Sequence, residues 1–290
     1  MHLRPSPWFA LASLLAACAT SPAPGFDTPE SALHDALGDV YLVSNLNGAP
    51  LAKDNNGYIA RVQPDGGMER HWIHGGVRGV TLHAPKGLAL AGDVLWVADI
   101  DVVRKFDRTS GAPLGEIVIP GSTFLNDVSV GPDGSVYCTD MGLDASFQPT
   151  RTDAIWRITP DGEVRALAKG VDLGQPNGIV ARDRGVYVVS WRDGSFYEID
   201  YGGRRTDLGR APQAQLDGLV RVAGGSEDAG QAEWLTTSWA GRCVYRFDTR
   251  GGCSTLPGRF EQPADCGLDA KRSRLLVPLF GSDRLELLQL

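Results

Sequence analysis

The 290-residue chain lacks the short motifs that mark several large classes of enzyme. It contains no GxSxG, HExxH, GxxxxGK[ST] or GxGxxG pattern, which removes the usual support for a serine hydrolase, a zinc protease, a P-loop NTPase or a dinucleotide-binding fold. It also lacks an excess of positive charge, because 28 Lys and Arg stand against 35 Asp and Glu, for a net charge of −7. A nucleic-acid binder needs a basic face, so the composition argues against that class of partner.

No apolar run is long enough to cross a bilayer, which takes about 20 residues. The run Trp8–Ala17 is too short, and it ends in Leu15-Ala16-Ala17-Cys18. This ending resembles the signal of bacterial lipoproteins. The resemblance implies a signal peptide over residues 1–17, lipidation of Cys18 and a tether over residues 18–28. By the sorting tendency of such proteins, Ala19 implies an outer-membrane anchor that faces the periplasm. An ordinary secretory signal that releases the protein to the periplasm is the alternative.

Cysteine is scarce beyond this segment. Cys138, Cys243, Cys253 and Cys266 remain, and no two of them have the CxxC spacing of a zinc or redox site. Cys243 and Cys253 flank one turn, so a disulfide across a hairpin and two buried thiols are both open.

A sequence pattern of turn and strand residues recurs six times, and its copies start at Pro29, Pro85, Leu125, Pro176, Leu216 and Pro263. Each copy gives a short apolar strand, a stronger apolar strand, and then an alternating strand such as Val244-Tyr245-Arg246-Phe247. Turns such as Pro160-Asp161-Gly162 lead into a weaker fourth strand. After the predicted signal peptide, no segment shows the periodicity of a helix. The sequence therefore predicts an all-β fold, a six-bladed β-propeller with four-stranded antiparallel blades over residues 29–290. The sixth copy ends after its third strand, so we expect a short or missing outer strand there.

Polar residues recur where the loops of one face of such a propeller converge. The loops that enter the innermost strands contribute one residue per blade around the axis: Glu30, Lys86, Asn126, Asn177, Asp217 and Asp265. The loops between the second and third strands contribute a surrounding ring: Asn45, Asp99, Asp140, Trp191, Trp239 and Phe280. Buried carboxylates without partners are strongly disfavoured, and oxygen ligands of this kind suit a hard cation such as Ca²⁺. The alternative is that these residues cap the turns before the innermost strands.

Three motifs carry a resemblance to a known family. Leu125-Asn126-Asp127, followed by Gly131-Pro132-Asp133-Gly134, and then Pro176-Asn177-Gly178 and Leu216-Asp217-Gly218 resemble the motifs of the SMP-30/gluconolactonase/regucalcin-like (LRE-like) family, with Pro29-Glu30-Ser31 where that family has its first-blade Glu. The resemblance extends from about Pro29 to the C-terminus. It implies a six-bladed propeller that holds one divalent cation, usually calcium, and hydrolyses sugar lactones. The ligands that it implies are Glu30, Asn126, Asn177 and Asp217.

This implied site predicts a mechanism. The cation would stabilise the charge that develops on a lactone carbonyl oxygen. Asp217 would take the proton from the attacking water, with Asp140 or Asp99 on the funnel wall as other candidates.

Five residues are candidates for substrate contact, and Asp99 and Asp140 are two of them. Lys86 could anchor a hydroxyl or carboxylate, or instead pair with a neighbouring acid, and Trp191 and Trp239 could stack on the substrate or only pack. Where many family members have an Arg shortly before the third-blade Asn, this chain has Thr123-Phe124-Leu125. The difference makes a more apolar lactone or ester credible.

The predicted partners are therefore a small-molecule substrate and a membrane reached only through the lipid anchor, with a monomeric propeller. The competing interpretation is a non-catalytic propeller of the NHL type that binds a ligand or a protein in the cell envelope. A relative with different chemistry on the same fold, like strictosidine synthase, is a third.

The lipid anchor can be tested apart from the propeller. We expect Cys18→Ser to move the protein from the membrane fraction to the soluble fraction of the producing cells, because the acyl chains can no longer be attached. Fractionation followed by immunoblotting measures this, and an unchanged distribution would refute the anchor.

Overall fold

The structure is a computed structural model that describes residues 25–222, 233–248 and 252–290. The predicted signal, Cys18 and most of the predicted tether lie outside these ranges. Within them the chain forms 23 β-strands and two one-turn 3-10 helices, Val171–Leu173 and Phe280–Ser282. None of the helices in the described ranges has the length and apolar character of a membrane span.

The strands form six separate antiparallel sheets, taken up by the chain one after another. The first blade contains β1 (Pro29–Asp35), β2 (Val40–Asn45), β3 (Tyr58–Val62) and β4 (Met68–His74). The second contains β5 (Pro85–Ala91), β6 (Val94–Asp99), β7 (Val102–Asp107) and β8 (Pro113–Val118). The third contains β9 (Leu125–Val130), β10 (Val136–Asp140), β11 (Ala154–Ile158) and β12 (Val164–Lys169).

The other three blades follow the same order. The fourth contains β13 (Pro176–Ala181), β14 (Gly185–Ser190), β15 (Ser195–Asp200) and β16 (Arg205–Arg210). The fifth contains β17 (Leu216–Val222), β18 (Glu233–Ser238), β19 (Cys243–Phe247) and β20 (Cys253–Thr255). The sixth contains β21 (Gly267–Asp269), β22 (Arg274–Leu279) and β23 (Arg284–Gln289). In the described residues the sixth blade has three strands, which confirms the expected lack of an outer strand.

The first strand of each blade, here called the inner strand, contacts the inner strands of the two neighbouring blades, and β21 contacts β1 so that the ring closes. Apolar side chains fill the spaces between blades, for example Ile155 of the third blade with Ile179 and Val188 of the fourth. The predicted six-bladed propeller is therefore confirmed, with apolar packing between blades and polar side chains near the axis.

Each of the first five inner strands carries a one-residue β-bulge near its start. Pro85 pairs with Asp99, but Leu88 pairs with Val97, so the register shifts by one residue between them, and the same shift occurs in β1, β9, β13 and β17. A bulge removes residues from the regular ladder and redirects their side chains. Here it affects the second and third residues of the inner strand, where the motifs lie.

Hydroxyl groups compensate for the lost ladder hydrogen bonds and join neighbouring blades. The Thr139 hydroxyl accepts a hydrogen bond from the Asp127 amide and donates to the carbonyl of Asn177 in the next blade, at 3.0 and 2.8 Å. Thr237 does the same between Gly218 and Ala264, at 3.0 and 2.9 Å. The bulges thus remain satisfied, as buried backbone groups must be.

The sixth blade meets the first through backbone hydrogen bonds. The Asp265 amide donates to the Glu30 carbonyl at 2.8 Å, and the Ala32 amide donates to the Asp265 carbonyl at 3.2 Å. Residues just before β1, which the sequence assigns to the tether, also belong to this junction. Phe26 is buried in a cluster with Leu276, and the Thr28 amide donates to Asp283 Oδ1 at 2.7 Å.

The four cysteines of the described residues are free thiols. Cys243 and Cys253 lie on adjacent strands, with Cys253 opposite Phe247. The sequence leaves open whether these two cysteines form a disulfide or remain thiols, and in this structure they are thiols.

Glycine at the blade junctions permits the close approach of the inner strands. A Cβ atom at Gly267 would lie 2.0 Å from the carbonyl oxygen of Ala32, a distance that only a backbone shift could relieve. We expect Gly267→Ala to lower the free energy of unfolding by about 1–3 kcal/mol through overpacking at the closing junction.

The matched control is Gly67→Ala in the turn between β3 and β4, where the nearest atom to an added Cβ is Gln63 Cγ at 3.4 Å. This change should alter stability by no more than about 0.5 kcal/mol. Urea unfolding followed by tryptophan fluorescence compares the two, and equal midpoints would contradict the close-packed junction.

Candidate active site

The four predicted ligands occupy the same structural position in four different blades. Glu30, Asn126, Asn177 and Asp217 are the second residues of β1, β9, β13 and β17, and Lys86 is the second residue of β5. All five side chains lie within the bulges and are at most 5% exposed. Equivalent bulges in a closed ring therefore direct these side chains toward a common axis.

The sixth blade departs from this pattern. Pro263 bridges Leu279 as Pro29 pairs with Asn45, so the second position of this blade is Ala264 and not Asp265. Asp265 aligns instead with Ser31 and Asp127 at the third position. The prediction that Asp265 shares the position of the ligands was wrong by one residue, and a one-residue slip changes where a strand side chain points.

One oxygen atom of each predicted ligand is buried without a hydrogen-bond donor. These atoms are Glu30 Oε2, Asn126 Oδ1, Asn177 Oδ1 and Asp217 Oδ1. In the described residues, Asn56 supplies the only other carboxylate or amide oxygen of this kind. Buried polar atoms are nearly always paired. Four unpaired oxygens at equivalent positions of one ring therefore fit a cation with oxygen ligands.

A second acidic layer lies next to the ligands. A Cβ atom at Gly87 would meet Asp127 Oδ1 at 2.2 Å, and one at Gly218 would meet Asp265 Oδ1 at 2.5 Å, so each carboxyl lies against a glycine of the adjacent blade. Asp127 accepts hydrogen bonds from the amides of Val128 and Ile179, at 2.7 and 2.8 Å. Asp265 accepts one from the Ser31 hydroxyl.

Of this layer, Asp127 was missed as part of the site, whereas Asp265 was assigned to the position of the ligands. Asp127 is inside the motif Leu125-Asn126-Asp127, but only the register distinguishes the third position of the strand from the second.

Burial raises the pKa of every acid on the axis, and repulsion from neighbouring acids adds to the rise for Glu30, Asp127 and Asp217. Burial and then the charges of Asp217 and Asp265 raise the pKa of Glu30 well above its usual range, against the opposing effect of Lys86. Burial and then Asp265 raise the pKa of Asp217, while the side chains of Trp239 and Asn177 oppose the rise. Burial raises the pKa of Asp265 to about 7. Among the described residues, four acids, counting Asp127, are buried near the axis with one cationic side chain, Lys86, so additional positive charge there would be favourable.

Lys86 is held by backbone groups. Its Nζ donates to the carbonyls of Pro50 and Ala84 at 2.8 and 2.9 Å and lies 5.0 Å from the centre of the Phe124 ring. Burial lowers its pKa to about 8, while Glu30 and Asp99 oppose the fall. Because Pro50 belongs to the loop between β2 and β3, Lys86 fixes that loop over the axis.

Asp99 and Asp140 have a different role from the one expected. Asp99 is fully buried and accepts hydrogen bonds from the amides of His83 and Ala84, at 3.0 and 2.8 Å. Asp140 is equally buried and accepts from the amides of Thr123, Phe124 and Gly142, at 3.1, 3.0 and 3.0 Å. These carboxyls cap the loops that enter the inner strands, which is the turn-capping alternative for this position. We do not place them in substrate contact.

An apolar ring lies at the mouth of the axis, one residue beyond these caps. In five blades the amide of the residue after the second strand donates to the carbonyl of the residue before the inner strand or, in the sixth blade, before Pro263. In the second blade Ile100 has the same place, directly after Asp99 at the end of β6. These six residues are Leu46, Ile100, Met141, Trp191, Trp239 and Phe280. Only the three aromatic members are apparent from the sequence, because Asn45, Asp99 and Asp140 have the neighbouring place in their blades and share the polar character of the site.

The ring is open on one side and covered on the other. Trp191, Trp239 and Phe280 are half-buried and in contact, with centroid distances of 5.1 Å and 4.9 Å along the series. Leu46, Ile100 and Met141 are buried. Leu51, from the loop over residues 46–57, packs against the apolar clusters on both sides. The mouth therefore combines aromatic surface with a loop-covered half.

Comparison with known proteins decides the family. Residues 53–277 match the sequence profile of the SMP-30/Gluconolactonase/LRE-like region. The chain belongs to this family. None of the curated proteins matches it.

Solved structures agree on the fold. A candidate gluconolactonase from a structural genomics consortium is 19% identical in sequence, with a TM-score of 0.66. The aligned region covers 91% of this chain and 90% of the gluconolactonase chain. Virginiamycin B lyase from Staphylococcus aureus is 14% identical with a TM-score of 0.61, covering 90% and 94%. A protein of unknown function from Bacteroides thetaiotaomicron is 15% identical with a TM-score of 0.63, covering 91% and 71%. At these identities the likeness supports the propeller fold alone.

The donor set of this family member fits a hard cation better than a soft one. Across the described residues, no three His, Cys, Asp or Glu side chains form a group that could hold a metal by themselves. The four oxygens come from two carboxyls and two carboxamides, so a cation here would depend on Asn126 and Asn177. Calcium accepts such mixed oxygen ligands in a flexible arrangement, whereas zinc prefers nitrogen and sulfur.

The raised pKa values predict a pH dependence of stability in the absence of a cation. The folded chain keeps protons on the axial acids at pH values where the unfolded chain has lost them, so it binds more protons and its stability falls as pH rises. For Asp265 the window extends from the ordinary value of 3.8 to about 7. We expect the melting temperature in chelator to fall across this window.

Asp265→Asn should flatten this profile, and millimolar Ca²⁺ should raise the melting temperature more at pH 8 than at pH 5. Differential scanning calorimetry measures both. A wild-type melting temperature in chelator that is constant or rises across the window would contradict the assigned electrostatics.

Proposed function

We propose that the protein is a metal-dependent hydrolase that opens a lactone or related ester at the axial site, with Ca²⁺ as the cation. The observation that carries this proposal is the set of four buried oxygens without donors, one from each of Glu30, Asn126, Asn177 and Asp217. Membership of the SMP-30/gluconolactonase/LRE-like family supports it, as does the fold similarity to a candidate gluconolactonase.

The four oxygens would hold the cation, and the side chains around them set its environment. A cation bound there supplies Lewis-acid polarisation of an ester carbonyl. Lys86 lies close enough to Glu30 to offset part of its negative charge, and its bonds to two carbonyls keep it in place. The acidic second layer adds negative charge beside the ligands, which favours a divalent over a monovalent cation.

Asp217 is the proposed proton acceptor. Its carboxyl is buried next to the side chains of Asn177 and Trp239. Once ionised, Asp217 can take a proton from a water molecule that attacks the ester carbon, and it can return that proton to the leaving alkoxide oxygen. Asp99 and Asp140 are less suited to this step, because backbone amides already occupy their oxygens.

The apolar ring gives the reaction a dry environment. Trp191, Trp239 and Phe280 face the opening, and Leu51 covers the other half of the mouth. Removing water strengthens the interaction between the developing negative charge and the groups that stabilise it. In this proposal Trp191 and Trp239 contact the substrate with their ring faces.

The cellular setting is a separate part of the proposal. A lipid on Cys18 would hold a monomeric propeller on the periplasmic side of the outer membrane, where it would meet small-molecule substrates. This part is supported by the sequence around Cys18.

Substitution of the ligands should separate cation binding from catalysis. We expect the wild type to bind about one Ca²⁺ in calorimetric titration. Residues that only support a metal ligand typically contribute about 10–100-fold to metal affinity. Asn177→Ala removes a proposed ligand itself, so it should weaken Ca²⁺ binding by more than this. For a lactone that the wild type hydrolyses, Asp217→Asn should lower kcat by about 10²–10⁴-fold.

The control is Asp65→Asn, an exposed carboxylate in the turn between β3 and β4, which should leave both properties unchanged. Binding of Ca²⁺ without turnover of any lactone or ester in a broad panel would favour the non-catalytic binding propeller. Turnover that persists in chelator would overturn the metal-dependent mechanism.

A further inference from the structure

We propose that the site selects lactones or esters that carry a hydrophobic substituent, and that this substituent lies in an apolar cavity between two loops beside the mouth. This inference rests on the proposed hydrolase function and specifies its substrate class. The cavity, here called the side cavity, is formed by the loops over residues 46–57 and 141–153, which follow the second strands of the first and third blades.

The lining of the side cavity is almost wholly apolar. Its volume is about 210 Å³, and its walls are Ala49, Pro50, Leu51, Ala52, Asp144, Ala145 and Phe147. Asp144 is the one charged residue, and its Oδ1 already accepts hydrogen bonds from the amides of Ser146 and Gln148, at 2.8 and 2.9 Å. A sugar ring would find few partners for its hydroxyl groups here, and unpaired hydroxyls are costly to bury.

Phe147 is a second sign of a ligand. Its side chain is 52% exposed, and its backbone has a φ of 57°, a left-handed conformation that is uncommon for a bulky residue. Neither feature helps the fold, since the ring is not buried and the conformation is unfavourable. Strained residues with exposed apolar side chains are frequent where ligands bind.

An apolar path joins the side cavity to the proposed ligands. The Phe147 ring lies 6.2 Å from that of Phe124, and Phe124 packs with Met141 in one buried cluster against which Leu51 also lies. Met141 Sδ in turn accepts a hydrogen bond from Asn126 Nδ2 at 2.9 Å. Because Phe124 and Met141 are themselves buried, a substrate with its ester group at the axis would extend its substituent over Leu51, which packs at the mouth and also lines the side cavity.

The cavity is also held in shape without a ligand. Lys86 donates to the carbonyl of Pro50, which fixes one wall relative to the axis. An apolar cavity of about 150 Å³ holds benzene, which has six carbon atoms, so about 210 Å³ accommodates an alkyl chain of about six or seven carbon atoms. An unbranched alkyl group of this length is the substituent that we assign.

A chain-length series tests the inference. With γ-lactones bearing unbranched alkyl groups from ethyl to decyl, kcat/KM should rise by about two- to fourfold for each added methylene and level off near hexyl or heptyl. Glucono-1,5-lactone should be a much poorer substrate. Leu51→Ser and Phe147→Ser should each flatten the dependence on chain length, and Phe147→Ser, whose side chain lies outside the mouth, should leave the unsubstituted lactone nearly unaffected.

The matched control is Leu37→Ser, the same change at a leucine that is 84% exposed in the loop between β1 and β2, at the opposite end of the blade. It should leave the chain-length dependence intact. Phe147→Ser removes an exposed side chain, so it keeps the test valid if Leu51→Ser does not fold.

The outcomes distinguish this inference from the proposed function. Lactones opened at rates that do not depend on chain length, or fastest for the sugar lactone, would overturn the inference and leave the hydrolase standing. If no lactone is opened, calorimetric binding of alkyl γ-lactams of the same lengths decides the question. Affinity that increases with chain length in the wild type and not in Phe147→Ser supports the side cavity, and its absence overturns it.

Discussion

The structure depends on how a closed ring accommodates carboxyl groups at its axis. Glu30, Asp127, Asp217 and Asp265 are all buried there, and Lys86 is the one cationic side chain that offsets the charge of Glu30. Ionised acids this close together repel each other strongly in a medium of low dielectric constant. The chain can either keep them protonated or bind a cation. The raised pKa values correspond to the protonated state. The four oxygens without donors are the atoms that would bind the cation in the other state.

The same position in each blade serves both stability and function. The bulge at the start of the inner strand releases the second residue for the axis, while Thr139 and Thr237 use their hydroxyls to join that blade to the next. Caps such as Asp140 hold the preceding loop and so place the apolar ring directly over the polar one. In the proposed function, the polar ring would act on the reactive group of a substrate, and the apolar ring with the side cavity would select the substituent attached to that group.

The sequence predicts the fold and the first layer of the site because both repeat. Six copies of one pattern indicate six blades, and the same place in four of these copies holds Glu30, Asn126, Asn177 and Asp217, which the family resemblance implies as ligands. The errors come from the bulge. A one-residue shift leaves the apolar pattern of a strand almost unchanged, so the sequence alone aligned Asp265 with the ligands and Asp99 and Asp140 with Trp191. The buried members of the apolar ring and the side cavity depend on contacts between loops of different blades, for which a single sequence carries no signal.

Anomalous diffraction from crystals of the protein grown with Tb³⁺ as a calcium substitute tests the central claim most directly. The account predicts one strong peak on the ring axis, at about 2.3–2.6 Å from Glu30 Oε2, Asn126 Oδ1, Asn177 Oδ1 and Asp217 Oδ1. Crystals with peaks only on the outer surface, and with those four oxygens still without a cation, would contradict it.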